Sequence, residues 1–515
     1  MKDRFQHSIR VNSYRQPVEL REVFTSLGWH SVGGNDVYLH AGGAIGGNGK
    51  ADICVEVSSE LALYRLPAPD LSRLKEGMVR VLAILDNLGS AAAPIAAILA
   101  SMPYRALLGP SRTVPHFSGT TGTLKTSTAC LAARFYAPDL EYSDPMPLSW
   151  QSTQAGLERL RHVAKDSLLV IDNLIADGEQ AHRDLAKADS VINSQGDLSG
   201  KARMKADGSP APRLDPRGCI ISTGECEPRR KSSAGRSIIC EFKPGMIDFE
   251  GLTRCHDDAR ASWYALTIAC YAQYLAVPGR LEAQRTELRR LAQEHQAAAM
   301  KHHQRCHLRH AEAVAEWTAG LQLFLRFAVE HKAIGKLDGE IFLNRVREQL
   351  FRTLPMQADI QDEADSGELF LDLIRALLGA KRAVLSNLDG VAPDSEAAQC
   401  GWQRVDVSAY GSGGNSTVRS WELPSGAVRI GWIDGGMVYL DPTASYAAVE
   451  RMARETGQVV GTKRQVCARL AETGRIKTDP PVGDERRRFT KRVTVEKHLH
   501  NALWMPVDVL FLTRP

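Results

Sequence analysis

Hydrophobic and polar positions follow two rhythms along this chain, and the places where the rhythm changes divide it into segments. Near the start, GWHSVGGNDVYLHAGGAIGGNGKADICVEV carries short period-two runs such as DICVEV, broken by Gly-Gly and Asn-Gly pairs. Those pairs accept the positive φ of tight turns, so the stretch predicts hairpins. From residue 71 the apolar positions fall three and four apart, in LSRLKEGMVRVLAILDNL and PIAAILASMPYRALL, which predicts helices. Between residues 113 and 242 apolar runs alternate with helical stretches: strand, glycine loop, helix, strand, helix, strand, helix, strand, strand. Strands separated by helices predict a parallel sheet with crossover connections. Residues 280 to 385 read as heavily charged helices, and DVSAYGSGGNSTVRS at 406 to 420 as a polar, glycine-rich segment. Short strands follow in AVRIGWID and MVYLDP. TASYAAVERMARETG and GTKRQVCARLAETGRI then predict two helices, and RRRFTKRVTVEKHLHN with MPVDVLFL two strands around a turn.

A length of 515 residues is too great for one core. We expect an N-terminal β-rich domain with lead-in helices at 1–106, an α/β core at 107–275, a helical region at 276–390, and a C-terminal segment at 391–515. Apolar content of 43% and charged content of 24% fit an ordinary globular chain. The polar start MKDRFQHSIRVNSYRQ does not match a secretory leader. The ten scattered cysteines lack a CxxC pair and point to reduced thiols and a cytoplasmic setting. No apolar run is long enough to predict a membrane span.

FSGTTGTLKTST, residues 117 to 128, changes the picture from class to chemistry. A phosphate cradle needs a strand that stops abruptly, backbone N–H groups turned inward, and a helix start aimed at the anion. VPHF supplies the strand, Gly119 and Gly122 the open dihedrals, and TSTACLAARF the helix. The spacing matches G-x-x-x-x-G-K-[ST] except at Leu124. The binding loop is therefore Gly119, Thr120, Thr121, Gly122, Thr123, Leu124, Lys125, Thr126 and Ser127. Lys125 would meet the β- and γ-phosphates of ATP, and Thr126 would hold Mg²⁺.

Downstream, SLLVIDN ends an apolar strand in Asp172, a second Mg²⁺ ligand. RGCIISTGE places Ser222 and Thr223 at a strand tip, where either would read the γ-phosphate, with Glu225 just beyond. GRSIICEF is another strand with Arg236 at its start, a candidate to complete a neighbouring subunit's site. The catalytic candidates are thus Lys125, Asp172, Thr223, Glu225 and Arg236.

The runs WQSTQAGLERLRHVAKDSLLVIDN and ADSVINSQGDLSGKARMKADGSPAPRLDPRGCIISTGE, with the earlier GW…VYLHAGGAIG, resemble the DUF927 family. Those are P-loop ATPases of phage, plasmid and integrated-element proteins, similar to superfamily 3 helicases and often found with or within primases. The resemblance covers most of residues 25 to 275. It implies a P-loop NTPase core of the AAA+ and superfamily 3 type. The family's loop often reads T-G-x-hydrophobic-K, similar to Thr121 through Lys125, so Leu124 has a family counterpart. One departure is Asn173, where the family usually carries a second acid. An amide cannot serve as general base, which leaves Asp177, Glu158 or Glu225 to orient water, or slow hydrolysis.

Two basic features bear on partners. In QGDLSGKARMKADGSPAPR, Lys201, Arg203 and Lys205 alternate, with Arg213 beyond them. Superfamily 3 helicases place a pore-lining hairpin there, so the resemblance implies contact with single-stranded DNA, by sequence-independent phosphate contacts. Residues 451 to 515 hold 14 Lys and Arg against 7 Asp and Glu, while the whole chain is +4. Two helices followed by a ribbon predict a winged helix that presents Lys463, Arg464 and Arg469 to duplex DNA. KHHQRCHLRH puts His303, His307 and His310 at helical spacing, with His302 and Cys306 on an adjacent face. Ligands from one helix make a poor tetrahedral site, so a charged arm is expected there instead.

The expectation is an ATP-hydrolysing, DNA-associated motor, working as a homo-oligomer, a hexameric ring, and needing ATP and Mg²⁺. An ATP-dependent assembly switch that binds DNA without unwinding it, and a DNA-binding adaptor with a degenerate loop, are the alternatives.

Overall fold

The computed structural model describes residues 22–511, leaving aside 48–52, 142–145, 176–180, 206, 229–230, 304–305, 364–365, 394–395, 412–413, 457, 459 and 479–488. The chain forms two compact units, one running to Ala358 and one beginning at Asp359, with 229–231 grouped with the second.

The first unit opens with β1 (Glu22–Phe24), β2 (Gly28–Val32), β3 (Asn35–His40), β4 (Gly43–Ile45) and β5 (Ile53–Val55). β2, β3 and β4 form an antiparallel meander, and β1 pairs with β5 in parallel. The meander does not stand alone. The Trp29 indole N–H donates to Leu107 O at 2.7 Å and the Tyr38 hydroxyl to Asp166 O at 3.0 Å. Trp29, Tyr38 and Ile45 are buried in the same apolar core as the sheet that follows.

That sheet holds β6 (Val114–Gly119), β7 (Leu148–Ser149), β8 (Leu168–Leu174), β9 (Cys219–Gly224) and β10 (Ser237–Phe242), in the spatial order β10-β6-β9-β8-β7. Every neighbouring pair runs parallel. β8 and β9 are nearly continuous apolar runs buried on both faces, as central parallel strands must be, and the edge strand β10 is nearly as apolar. Helices Lys125–Ala133, Gln154–Val163 and Ala181–Asp197 make the crossovers. β9 lies between the strand that carries the glycine loop and the strand that carries Asp172, so three strand tips face one place. Helices Phe249–Arg260 and Trp263–Leu275 follow, then the long pair Arg280–His302 and Leu308–Glu330. His295 Nε2 and Gln322 Oε1 tie that pair together at 2.8 Å.

The histidine run departs from expectation. The helix stops at His302 and the next begins at Leu308, so His303, His307 and His310 do not share a helix. His307 instead caps the second helix by accepting from the Arg309 N–H, and His310 is buried against Ala234 O. Capping the orphan N–H groups of a new helix outweighs helix continuation here.

In the second unit, β11 (Ala383–Ser386), β14 (Val428–Asp434), β15 (Met437–Leu440), β16 (Lys491–Val495) and β17 (His498–Pro506) form a mixed sheet ordered β11-β14-β15-β17-β16. Helices Ser366–Gly379, Pro442–Glu455 and Lys463–Glu472 share one apolar core with it. A C-terminal ribbon is present as β16–β17, but both strands come before the bulk of the predicted second one: MPVDVLFL turns into helix Val507–Leu510 after β17, and the ribbon continues a five-stranded sheet rather than standing apart. The glycine-rich stretch is not a loop: β12 (Gln403–Gly411) and β13 (Gly414–Glu422) pair over nine residues. Val405, Val407, Thr417 and Val418 are residue types that favour strands, and the glycine-rich composition of the stretch hides them in the sequence.

Among the described residues no single helix is long and apolar enough to cross a membrane. The apolar pair Leu71–Asn87 and Ser90–Ala106 is bent by 99°, and most of its apolar residues lie in the first unit's core.

Candidate functional site

The glycine loop takes the shape that its spacing predicts. β6 ends at Gly119, and a Cβ there would come within 2.6 Å of Phe242 O, so only glycine lets β10 approach. Gly122 has φ 85°. Leu124, at the helix N-cap, adopts the left-handed region with φ 65° and ψ 14°. That conformation costs a leucine roughly 1 kcal/mol or more and is where a glycine would rest easily. Its side chain recovers part of the cost by packing on the first unit's core. Strain held at a loop of this kind marks a constrained site.

The side chains around the loop converge. Thr126 Oγ1 donates to Asp172 Oδ1 at 2.9 Å, and the Thr223 hydroxyl donates to the same oxygen. The Lys125 ammonium is buried and reaches back to Thr120 O at 3.1 Å, while Thr123 Oγ1 closes the turn on Thr120 O at 2.8 Å. The Thr121 hydroxyl donates to the carboxylate of Glu225, which is exposed just past β9. The loop, the Asp172 strand and the Thr223 strand are thus joined through side chains as well as through the backbone ladder of the sheet. A hydroxyl and a carboxylate oxygen side by side are the donor types Mg²⁺ takes, and a helix that starts at a lysine just after a positive-φ glycine suits a triphosphate. The residues therefore fit both groups.

Geometry separates Ser222 from Thr223, which sequence left as equals. Neighbours on a strand face opposite ways. The Ser222 hydroxyl is fully buried, bonded to His116 Nδ1 at 2.9 Å and to the Trp150 indole N–H at 3.0 Å. Thr223 faces Asp172. Asn173, at φ 70°, follows Asp172 at a break in the β8–β9 register. Its N–H donates to Thr223 Oγ1 at 3.1 Å, so it locks the threonine by its backbone. Glu158 is buried in a helix and already holds Arg203 at 2.6 Å and Gln154 at 3.1 Å. Asp177 lies outside the described residues. Of the two described candidates for orienting water, Glu225 is the one that bonds a loop residue, through Thr121.

Two buried networks escaped the sequence reading. His116 Nε2 pairs with Cys226 O at 2.9 Å, and burial pushes this ring down to about 4. Beside the helix start, Ser127 Oγ bonds His256 Nε2 at 3.0 Å, and Arg134 donates to His256 Nδ1 at 3.1 Å. Burial first, then the Arg134 charge, lowers His256 to about 4. The only available signal was a histidine inside the apolar run VPHF.

Arg236 sits before β10, at the end of the sheet opposite the loop, and pairs with Asp197 at 2.6 Å. The basic segment is a small hairpin: Ala211 N–H donates to Arg203 O, and Lys205 N–H to Ser209 O, both at 2.8 Å. Lys201, Arg203 and Lys205 are exposed there. In the second unit Lys463 and Arg464 are exposed on the first turn of their helix, and Arg469 lies 3.5 Å from Glu472. Among the described residues no cluster of three or more His, Cys, Asp or Glu is suited to a metal ion.

No known protein-family profile matches the chain. No curated protein matches it either. A solved structure described as the active helicase Cch of SCCmec type IV matches 99% of this chain and 84% of its own, with TM-score 0.53 and 12% identity. At that identity the likeness is one of fold. The chain has a mixed α/β, helicase-like fold whose parallel five-stranded sheet fits a P-loop-like core.

Proposed function

We propose that this protein is an ATP-hydrolysing, DNA-associated motor of the superfamily 3 type, related to the DUF927 ATPases of mobile elements and acting in their replication in the cytoplasm. The observation that carries the reading is Asp172 Oδ1, which accepts from both Thr126 and Thr223 beside the glycine loop. The loop amides and Lys125 bind the triphosphate, Lys125 leaving Thr120 O to do so. Mg²⁺, held by Thr126 and Asp172, would neutralise charge on the transferred phosphoryl group. Thr223 senses the γ-phosphate through its bond to Asp172, and Glu225 orients the attacking water. Preorganised charge supplies most of the rate in such chemistry.

Arg236 lies at the opposite end of the sheet and is held by Asp197, so a part in the nucleotide chemistry would have to be in a neighbouring subunit's site within a ring. The Arg203–Ala211 hairpin, with Lys201 and Lys205, grips single-stranded DNA. Helices Pro442–Glu455 and Lys463–Glu472 with β16–β17 act as a winged helix on duplex DNA through Lys463, Arg464 and Arg469.

Asn173 favours a second reading, a slow nucleotide switch that assembles on DNA. The deciding measurement is ATP hydrolysis with and without single-stranded DNA, by the parent and by Lys125→Ala. Stimulation by DNA with at least a 100-fold loss in the variant, about 2.7 kcal/mol, is expected of a motor. Slow, unstimulated turnover that still needs Lys125 supports the switch. Equal rates in the two proteins would remove the catalytic reading.

A further inference from the structure

The first unit carries a second convergence of charge, at the end of the parallel sheet away from the glycine loop. A cavity of about 270 Å³ opens there, walled by Leu108, Gly109, Pro110 and Pro216 and carrying Lys165, Arg217, Arg285 and a single carboxylate, Asp166. It has room for several waters at about 30 Å³ each. Lys165 and Asp166 precede β8, Arg217 precedes β9, and Arg285 comes from helix Arg280–His302.

The three cations do not close on the carboxylate. Lys165 Nζ lies 3.7 Å from Asp166 Oδ2, and an Arg285 terminal nitrogen lies 3.7 Å from Oδ1. Both exceed a hydrogen bond. Asp166 Oδ2 accepts instead from the Trp29 N–H at 3.1 Å. The cations are steadied by backbone carbonyls: Lys165 on Trp29 O, Arg217 Nε on His162 O at 2.7 Å, and Arg285 Nε on Leu108 O at 3.3 Å. A guanidinium has five N–H donors and an ammonium three, so each keeps others for a further partner. Glu282, itself well exposed, stands 3.9 Å from Arg285. One buried carboxylate needs one counter-charge; three cations leave a surplus at an open cavity. Burial pushes Lys165 and Arg217 below their ordinary values and Asp166 above its own, and the attraction between the cations and the carboxylate offsets this only in part.

We propose that this cavity is an anion site that binds a phosphoryl group, the oxygens meeting Lys165, Arg217 and Arg285 in charge-assisted hydrogen bonds. Guanidinium forks match phosphate geometry. The phosphoryl group comes from a free phosphate or from the backbone of a nucleic-acid strand. The site is separate from the nucleotide loop and does not depend on it.

Binding is measured on the full chain carrying Lys125→Ala, so that the glycine loop does not dominate, with orthophosphate by calorimetry and a labelled single-stranded oligonucleotide by polarisation, both at low salt. Arg285→Gln and Arg217→Gln are each expected to weaken orthophosphate binding about tenfold. Asp166→Asn keeps the acceptor for the Trp29 N–H and removes the competing charge, so it is expected to tighten orthophosphate binding. A purely structural cluster would show no such gain. Oligonucleotide affinity that falls with orthophosphate affinity assigns the strand backbone, and oligonucleotide affinity that holds assigns a free phosphate. Should Asp166→Asn not fold, Arg285→Gln and Arg285→Glu on the helix surface still decide. Undetectable orthophosphate binding, or affinity unchanged in the Arg285 variants, overturns the proposal.

Discussion

The two units solve the problem of polar groups in different ways. In the first, polar side chains go inside: His116 with Ser222 and Trp150, Arg134 with His256 and Ser127, Arg161 with Ser194 and Val191 O. In the second, the common core of sheet and helices is almost wholly apolar. Its ion pairs lie outside, as in Arg382 with Glu455 and Arg429 with Glu496. Buried networks are costly unless complete, but they fix direction. The first unit uses them directly beneath and beside the glycine loop. The second needs only packing, and its chemistry lies on its charged surface.

That contrast can be broken first with acid. Burial lowers His40, His116, His256 and His310, all in the first unit, from 6.5 to about 4. Between those values the unfolded chain binds more protons than the folded one. Stability is therefore full above pH 6.5 and falls as the pH drops toward 4, by about 2 kcal/mol per group at pH 4.5. Hydrogen exchange resolved by peptide should show the first unit losing several kcal/mol between pH 7 and 4.5 while the second holds. Equal losses in both would erase the contrast.

A smaller effect tests the second unit alone. Asp441 caps helix Pro442–Glu455 by accepting from the N–H groups of Thr443 at 2.8 Å and Ala444 at 2.7 Å. Asp441→Ala should cost about 1–2 kcal/mol, seen in urea unfolding of that unit, with ATP hydrolysis unchanged. The smallest effect belongs to the loop. Leu124→Gly relieves a left-handed leucine but loses its packing, so the net change in stability should be within about 1 kcal/mol, with ATP affinity kept. A large loss of affinity would mean that the leucine itself shapes the cradle.

The order of strands and helices from 113 to 242 was legible because parallel strands must be apolar throughout and their crossovers amphipathic. That Thr126 and Asp172 meet beside Lys125 was foreseeable from the spacing of the glycine loop and the apolar strand that ends in Asp172. His116, Trp150 and His256 were not, because they are scattered along the chain and meet only when strand tips and a helix start are folded together. The β12–β13 hairpin was hidden by its own glycines, and the histidine run was misread because a helix break depends on a cap rather than on periodicity.

The chain by itself determined a glycine loop with its lysine, an aspartate at a strand tip, and the alternation that makes a parallel sheet. These are local matters, set by side-chain type and spacing. Only the tertiary structure decided that Thr223 rather than Ser222 meets Asp172, that Glu225 bonds Thr121 on the loop, and that Leu124 takes a left-handed turn. Each depends on which face of a strand points where and on which strand lies between β6 and β8. Such choices are made by packing across long separations, which no short window of sequence contains.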